Sequence, residues 1–501
     1  MDFFSEMTAN QISYTENGAK GLATTGHALL DLNFRIPSFR NSDLPYDLFD
    51  ISYEQDPIHT MKWLLYLRDI KQGCGERQSF RKFLSHLCEA HPAIVVEFIY
   101  KFVANDYGRW DDVLDVYFST NNVEVRTNIK RLLVNQLHRD MDSAYPSLLA
   151  KWLPSESSKN KTTRYRARHL ATEVFGLSSR SYRKILSTLR KYVASTEVLT
   201  SAGKWGDVLY QNVPSKANIK YRNAFRKHDP VRRANYLADV RDMKSSIHAN
   251  AMFLHDIIRA YFNEYGALKV VDDTLEALWS SQDKVTGFKD TLIVRDGSAS
   301  MKWGYNEPCP MNVANALTLY CSENNKGIYH NKFITFSDNP ACVTIPKKYS
   351  LHDKLQMLAK YDECANSTNV ESVFDLVLNT AIKSKAKAKD LPKNILIVSD
   401  MEFNCAVNTL LHETLFETIA NKYKAHGYAL PKLIFWNVGS RTNTIPMQQN
   451  ENGVILLSGF SKNLLQMVMS SEFDPYKALI KTLDTTRYEC IDEINFSHPT
   501  D

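Results

Sequence analysis

The sequence predicts an α-helical solenoid followed by an α/β domain with a mainly parallel sheet. Before about residue 285, apolar residues recur with helical spacing and there is hardly any strand signal. After that point, short apolar strands alternate with helices, and polar residues follow the strands directly. We therefore expect a helical domain over residues 1–285 and an α/β domain over residues 286–495.

The helical half shows its pattern most clearly in three segments. Apolar residues repeat at spacings of three and four in "DPIHTMKWLLYLRDI" (56–70), "AIVVEFIYKFVANDY" (93–107) and "SYRKILSTLRKYVAS" (181–195). Clusters of Gly, Pro and Asp, such as "QGCGER" and "NDYGRWDD", separate one helix from the next. Helices that are joined in this way, without one long amphipathic seam, favour stacked antiparallel pairs.

The second half alternates between the two kinds of element. The predicted strands are "TLIVR", "HNKFITFSD", "ACVTI", "NILIVSD", "PKLIFWNV" and "GVILLSG". The predicted helices between and after them are "MNVANALTLYCSENN", "LHDKLQMLAKY", "VESVFDLVLNTAIKS", "LLHETLFETIANKYKAH" and "SKNLLQMVMSS". This alternation implies a parallel sheet that is covered by helices on both faces, with a binding site at the carboxyl ends of its strands.

Composition places the chain among ordinary folded proteins. Of its 501 residues, 44% are hydrophobic and 23% are charged, which is enough apolar material for a sizeable core. No apolar run approaches the roughly 18 to 20 residues of a membrane span, and the start "MDFFSEMTANQ" lacks the features of a signal peptide. The eight cysteines form no C-x-x-C pair, so we expect reduced thiols and a cytoplasmic protein.

Oxygen-bearing side chains follow two of the buried strands. Asp296, Ser298 and Ser300 lie in one loop, Asp400 ends a second strand, and Thr368 comes just before a helix. Acting directly or through water, these five residues would surround one hard divalent cation such as Mg²⁺. The competing interpretation is that Asp and Ser only form turns and cap helices.

The same residues carry a resemblance to von Willebrand factor A (vWA) domains. The D-x-S-x-S loop, the later Thr and the later strand-end Asp resemble their metal-ion-dependent adhesion site, or MIDAS, over roughly residues 286–470. The resemblance implies a Rossmann-like fold and a Mg²⁺ or Mn²⁺ ion with an open coordination position. Here "SDMEF" replaces the commoner T-D-G, which leaves open whether Asp400 binds directly or through water.

A strongly basic segment indicates a second partner. Residues 151–250 contain 21 Lys and Arg against 7 Asp and Glu, although the whole chain carries only +5. Such a patch is typical of proteins that bind the phosphate backbone of nucleic acids. The candidate RNA-binding residues are Arg164, Arg166, Arg168, Arg180, Arg183, Lys184 and Lys191, with Arg180 expected at the turn between two helices. The alternative is that these cations only solvate helix surfaces, as we expect for "KSKAKAKD" (383–390).

The combination of both halves resembles the Ro ribonucleoprotein family, whose TROVE module is a ring of HEAT-like helix pairs. A closer resemblance is to an uncharacterised TROVE-like plus vWA family of plants, fungi and viruses. It is carried by "GCGERQSFRKFL", "NDYGRWDDVL", "KWLPSE", "RARHLATEVFGLSSRSYRKILSTLR", "VPSKA", "VSDMEF" and "IFWNVG". The Ro resemblance implies binding of small structured RNAs and of single-stranded RNA ends.

Together these features predict a non-enzymatic RNA-binding protein with a divalent-metal vWA site that binds a ligand or partner. One alternative is a metal-dependent protein-protein interaction scaffold, in which the metal captures an acidic side chain of a partner. A weaker alternative is a metal-assisted hydrolase, for which the sequence offers no His or Glu placed as a general base beside the site.

Overall fold

The chain forms two compact units, each assembled from two stretches of sequence. The computed structural model describes residues 12–16, 20–40, 42–192, 196–302, 308–337, 339–362, 369–402, 415–445, 454–469 and 474–496. The sheet unit takes the residues up to Gln55 and those from Ala249 to Leu483, and the helical unit takes Asp56–His248 and the residues from Asp484 onward.

The sheet unit is built on a six-stranded sheet. Its strands are β3 (Thr291–Asp296), β4 (Lys332–Phe336), β5 (Cys342–Thr344), β6 (Asn394–Ser399), β7 (Lys432–Asn437) and β8 (Val454–Ser458). They are arranged in the order β5-β4-β3-β6-β7-β8, and every pair is parallel except β4 with β5. The predicted α/β half with a mainly parallel sheet is therefore confirmed.

Helices cover both faces of this sheet. The helices of the sheet unit are α1 (Ala28–Phe34), α2 (Tyr46–Gln55), α14 (Leu254–Ala260), α15 (Asp273–Ser280), α16 (Pro310–Asn324), α17 (Leu351–Asp362), α18 (Val370–Ser384), α19 (Leu415–Ala425), α20 (Leu465–Met469) and α21 (Pro475–Leu483). On one face, Leu292 and Val294 of β3 join a buried cluster with Val373 and Phe374 of α18. Because side chains alternate along a strand, Arg295 points to the other face, towards α16.

The N-terminal stretch belongs to the sheet unit, which differs from the boundary expected at residue 285. All seven residues of α1 are buried, and Phe34 joins the core cluster of the sheet. Asn437 at the end of β7 also donates a hydrogen bond to the Phe34 carbonyl, at 3.0 Å. A hairpin of β1 (Ile12–Tyr14) and β2 (Lys20–Leu22) precedes α1. Sequence periodicity missed this hairpin because each strand has only three residues.

The helical unit contains eleven α-helices among its described residues. They are α3 (Pro57–Arg68), α4 (Gln78–Ala90), α5 (Pro92–Ala104), α6 (Trp110–Ser119), α7 (Val123–Asp142), α8 (Leu149–Trp152), α9 (Lys161–His169), α10 (Ser179–Tyr192), α11 (Thr196–Ser201), α12 (Ser215–His228) and α13 (Pro230–Arg241). Helices close in sequence pack together, as α4 does with α5 and α6. The predicted helical character of this half is confirmed.

Residues beyond α21 return to the helical unit, which also departs from the expected domain ranges. Arg487 donates to Asp69 Oδ2 at 2.8 Å, and Lys62 Nζ lies 2.8 Å from Asp484 Oδ1. Asp69 is fully buried, so the Arg487 guanidinium compensates a charge that would be costly alone.

Within the described ranges, no helix is long and apolar enough to cross a membrane.

Candidate metal centre

Three of the predicted metal ligands lie at the end of the central strand β3. Asp296 is its last residue and is fully buried, Ser298 is buried, and Ser300 is partly exposed. Asp296 Oδ1 accepts a hydrogen bond from the Ser298 amide at 2.9 Å, and the Ser298 and Ser300 hydroxyl oxygens are 2.9 Å apart. The loop thus presents one carboxylate and two hydroxyls at the carboxyl end of the sheet.

The Asp296 carboxylate is oriented from both sides. Its Oδ1 atom makes the turn-forming contact with Ser298, and its Oδ2 atom accepts a hydrogen bond from Ser399 Oγ at 2.5 Å. Ser399 ends β6, the parallel neighbour of β3. A carboxylate that only closes a turn needs no second donor and no burial, so turn formation alone does not account for this arrangement.

The predicted ligand Asp400 lies next to this carboxylate, directly after β6. Asp400 is fully buried, and its Oδ1 atom accepts a hydrogen bond from the Glu402 amide at 3.3 Å. Its Oδ2 atom has no hydrogen-bond partner among the described residues, and Arg441 Nη1 lies 3.4 Å away. The Arg441 guanidinium offsets part of the cost of burying this oxygen, and a bound cation would offset more of it.

The residue after Asp400 explains how "SDMEF" can stand where T-D-G is commoner. Met401 is buried and has a φ of +64°, in the left-handed region that favours glycine. The backbone after Asp400 therefore turns as it would with glycine, although the side chain is methionine. Such strain in a non-glycine residue is most often found at functional sites.

Electrostatics make the two carboxylates interdependent. Burial raises the pKa of Asp296 above its usual range, although Ser399 and Ser298 oppose the shift. Burial and the nearby Asp296 carboxylate raise the pKa of Asp400 to about 7, and Arg441 partly opposes this. A buried carboxyl whose pKa is raised by a second carboxylate is typical of a functional site, and a bound cation would offset the repulsion between the two charges.

A buried arginine lies on the other side of β3. Arg295 is 1% exposed and donates to Asn315 Oδ1 at 2.7 Å and to Asp362, the last residue of α17. Lys302 Nζ lies 3.4 Å from the second oxygen of Asp362. This network links α17 to β3, the strand that ends in Asp296, and so helps to hold that strand in place.

The fifth predicted ligand, Thr368, lies outside the described residues. The helix that it was expected to precede is present as α18, which begins at Val370. Asn369 caps this helix by accepting a hydrogen bond from the Ser372 amide at 3.1 Å. The participation of Thr368 stays a prediction.

Four residues that sequence reasoning missed complete the surroundings of the site. They are Ser399, which orients Asp296, and the linked side chains Glu402, Arg441 and Glu16. Glu402 is fully buried and accepts hydrogen bonds from the Arg441 and Thr442 amides at 2.9 and 3.1 Å. Only Ser399 had a local signal, because its hydroxyl directly precedes the Asp that follows a buried strand.

The donor set suits a hard cation. Two carboxylates and two hydroxyls provide oxygen ligands, which Mg²⁺ and Mn²⁺ prefer over nitrogen or sulfur. The described part of the chain contains no group of three or more His, Cys, Asp or Glu side chains that could hold a metal ion. The described residues therefore form no transition-metal centre of that kind. A hard-cation site with two carboxylates and two hydroxyls does not require three such side chains.

The predicted RNA-binding residues differ in their surroundings. Arg164 donates to the Ser158 and Lys159 carbonyls at 2.8 and 3.0 Å, so it closes the loop before α9. Arg166 lies over the Phe118 ring, with 4.8 Å between its guanidinium carbon and the ring centroid. Both arginines therefore make structural contacts in addition to any role in binding.

The other predicted cations are more exposed. Arg168, Arg180, Arg183, Lys184 and Lys191 all have exposed side chains. Arg183 Nε lies 3.5 Å from Glu156 Oε2, which partly neutralises its charge. Arg180 lies in the first turn of α10, not in the turn before it as expected. The segment from Leu170 to Val174 continues α9 as a π-helical turn. The next helix, α10, begins at Ser179, so Arg180 is its second residue.

Fold and site define a class of protein: a helical unit and an α/β sheet unit that carries a candidate oxygen-donor cation site. The chain belongs to a family described as a domain of unknown function, DUF2828, whose matches cover residues 15–145 and 127–287. Residues 290–490 match a second domain of unknown function, DUF7788. The predicted membership of an uncharacterised family is thereby confirmed.

Similar proteins were found among viral sequences and solved structures. The uncharacterized protein L728 of Acanthamoeba polyphaga mimivirus is 30% identical over an alignment of 518 positions, which covers 94% of this chain and 87% of that protein. The crystal structure of the Deinococcus radiodurans Ro protein covers 91% of this chain and 95% of its own, at 13% identity and a TM-score of 0.37. The structure of proximal thread matrix protein 1 from the mussel byssus matches 39% of this chain and 46% of its own length, at 17% identity and a TM-score of 0.22. Neither structural likeness is close enough to carry a conclusion.

Proposed function

We propose that the sheet unit binds a ligand through a divalent cation, Mg²⁺ or Mn²⁺, as a vWA domain does. The observation that carries this proposal is the pair of buried carboxylates, in which burial and the nearby Asp296 raise the pKa of Asp400. Among the described residues, Asp400 Oδ2 accepts no hydrogen bond and has the Arg441 guanidinium 3.4 Å away. Asp296, Ser298, Ser300 and Asp400 would hold the ion, together with Thr368 if it reaches the site. The ion would leave a coordination position for an acidic side chain of a partner.

We further propose that this site binds and does not catalyse. Glu402 is the carboxylate closest in sequence to Asp400, but its oxygens already accept hydrogen bonds from the Arg441, Thr442 and Glu16 amides. A general base needs an oxygen that can reach a substrate proton. The geometry of Glu402 therefore favours ligand binding over hydrolysis.

Thermal unfolding tests the metal proposal. A ligand that binds only the folded state raises Tm with its concentration. We expect Mg²⁺ and Mn²⁺ to raise the Tm of the wild type but not of Asp296→Ala. Asp290→Asn, which removes a carboxylate at the opposite end of β3, is the control and should respond as the wild type does. Equal Tm shifts in Asp296→Ala and the wild type would overturn the proposal.

RNA binding by the helical unit is a second proposal, favoured by the exposed aromatic rings beside the cations. Tyr165 on α9 is 67% exposed and lies one helical turn before Arg168. Tyr192, the last residue of α10, is 63% exposed and follows Lys191 in sequence. Proteins that bind single strands combine basic surfaces with aromatic rings on which bases stack. We propose single-stranded or small structured RNA as the ligand, held by a HEAT-like arrangement of the helices.

A salt titration with matched variants tests this second proposal. The exposed residues Arg168, Arg180 and Lys184 are replaced together by Gln, and the control replaces Lys383, Lys387 and Lys389 of the sheet unit. For single strands, log K falls with log salt by roughly 0.7 per phosphate contact, so the first variant should flatten the slope by about two units. The control should leave the slope unchanged. No affinity for a uridine oligomer at low salt, or equal slopes in both variants, would favour a protein-binding scaffold.

A further inference from the structure

The segment after β7 places an arginine beside the candidate metal site. Ile445 in this segment exchanges backbone hydrogen bonds with Leu22 of β2, at 2.8 and 2.9 Å. Ser13 of β1 and Thr444 have hydroxyl oxygens 2.8 Å apart. The N-terminal hairpin therefore holds the segment that carries Arg441.

Every nitrogen of the Arg441 guanidinium has a partner. Nη1 lies 3.4 Å from Asp400 Oδ2 and donates to the Ser300 carbonyl at 3.3 Å. Nε and Nη2 each donate to one oxygen of Glu16 at 2.6 Å. Such a two-pronged pair fixes both charge and orientation, so Arg441 lies between the carboxylates of Glu16 and Asp400.

The backbone of Arg441 is also fixed. Its amide donates to the buried Glu402, whose other oxygen accepts the Glu16 amide at 2.8 Å. Glu402 follows Asp400 by two residues, so one short stretch of chain supplies a candidate ligand and positions the arginine that faces it.

We propose that Arg441 is a built-in cation that competes with the metal ion for Asp400 and so sets the metal affinity of the site. This inference rests on the proposed metal binding. Without a metal ion, the guanidinium offsets the charge of a fully buried carboxylate. With a divalent ion on Asp400 Oδ2, the same guanidinium is a like charge a few ångströms away, and it opposes binding.

The two members of the Arg441–Glu16 pair should therefore act in opposite directions. Arg441→Gln removes the competing charge, and we expect it to tighten Mg²⁺ and Mn²⁺ binding about three- to tenfold. Glu16→Gln removes the charge that offsets Arg441, and we expect it to weaken binding about two- to fivefold. If the pair served only to hold the loop, both substitutions would weaken binding.

The chain offers a matched control pair in the same unit. Lys393 Nζ lies 3.1 Å from Asp290 Oδ2 at the amino end of the strands, about 20 Å from Asp400 along six residues of β6. Lys393→Gln and Asp290→Asn change the net charge by the same amounts as the two test variants. Neither should alter metal affinity by more than about twofold. Arg441→Lys keeps the charge but loses the two-pronged pair with Glu16, so its metal affinity should lie closer to that of the wild type than the affinity of Arg441→Gln does.

Calorimetric titration of the full chain with Mn²⁺ at low salt tests whether Arg441 competes with the metal ion, with Asp296→Ala measured in parallel. Tightening in Arg441→Gln and weakening in Glu16→Gln would support the inference. If the wild type binds Mn²⁺ through Asp296 but Arg441→Gln binds equally or more weakly, the inference falls and the proposed function stands. If the wild type does not bind Mn²⁺, both fall. The Tm of metal-free Arg441→Gln should also be lower than that of the wild type, and an unchanged Tm would contradict the role of Arg441 as a counter-ion.

Discussion

Ser399 Oγ donates a 2.5 Å hydrogen bond to Asp296 Oδ2 across the boundary between β6 and β3. The last residue of one strand therefore orients the carboxylate that ends its neighbour, and the next residue, Asp400, supplies the second carboxylate. The candidate site depends on the register of these two strands as much as on the residues of either loop.

The Ser399 hydroxyl should be needed for tight metal binding. In Ser399→Ala, Asp296 loses the donor that orients it, and loss of such a supporting contact typically weakens metal affinity about 10- to 100-fold. Ser399→Thr keeps the hydroxyl and should retain most of the affinity. Mn²⁺ titration of both variants checks this, and an unweakened Ser399→Ala would show that Asp296 needs no support from β6.

At position 401, glycine should be tolerated better than alanine. Met401 is buried with a φ of +64°, so both substitutions lose its side-chain packing, but only glycine relieves the left-handed strain. We expect Met401→Gly to be more stable than Met401→Ala by about 1 kcal/mol in urea denaturation. Val373 is a fully buried helical position and serves as the control. There the order of stability should reverse, with Val373→Ala more stable than Val373→Gly, because glycine destabilises helices. Met401→Ala as the more stable variant would contradict the backbone described.

Asp112 should be a main stabiliser of the helical unit. It is 1% exposed and accepts hydrogen bonds from Arg68 at 2.7 and 3.0 Å and from Arg81 at 2.7 Å. We expect Asp112→Asn to lower the free energy of unfolding by about 3–5 kcal/mol, because two buried guanidinium groups lose their counter-charge. Asp111→Asn should cost less, since Asp111 is partly exposed.

The pH dependence of this contribution follows from the direction of its pKa shift. Burial raises the pKa of Asp112, but Arg68 and Arg81 lower it by more than burial raises it, so the net shift of the pKa is downward. A carboxyl with a lowered pKa stabilises the fold above its unfolded value of about 3.9 and loses that effect as the pH falls below it. The stability difference between wild type and Asp112→Asn should therefore shrink below about pH 4. A difference that is equally large at pH 3 and pH 7 would contradict the ion-pair explanation.

Local patterns in the sequence predicted the strands well and the position of Asp296 at the end of one of them. Leu292 and Val294 belong to a strand buried on both faces, and such strands read as continuous apolar runs. Asp296 and Asp400 were found because parallel strands bring their carboxyl ends to one edge. These inferences depend only on neighbours in sequence and on the general geometry of α/β sheets.

Contacts between distant segments could not be predicted. Glu16 and Arg441 are 425 positions apart, and neither lies in a pattern that indicates its partner. The helix α1 was missed as part of the sheet unit for the same reason, since the burial of Phe34 depends on β7 and β8. Likewise, nothing in the sequence distinguishes Arg164, which caps carbonyls, from the exposed Arg168.

Isothermal titration calorimetry of Mg²⁺ and Mn²⁺ tests the central proposal most directly. It is best done at pH 8, above the pKa of about 7 for Asp400. We expect one ion per chain in the wild type, no binding in Asp296→Ala, and much weaker binding in Asp400→Asn, because each substitution removes one of the two carboxylates that a hard cation needs. Wild type and Asp296→Ala binding with equal affinity, or no binding by the wild type, would contradict the metal centre.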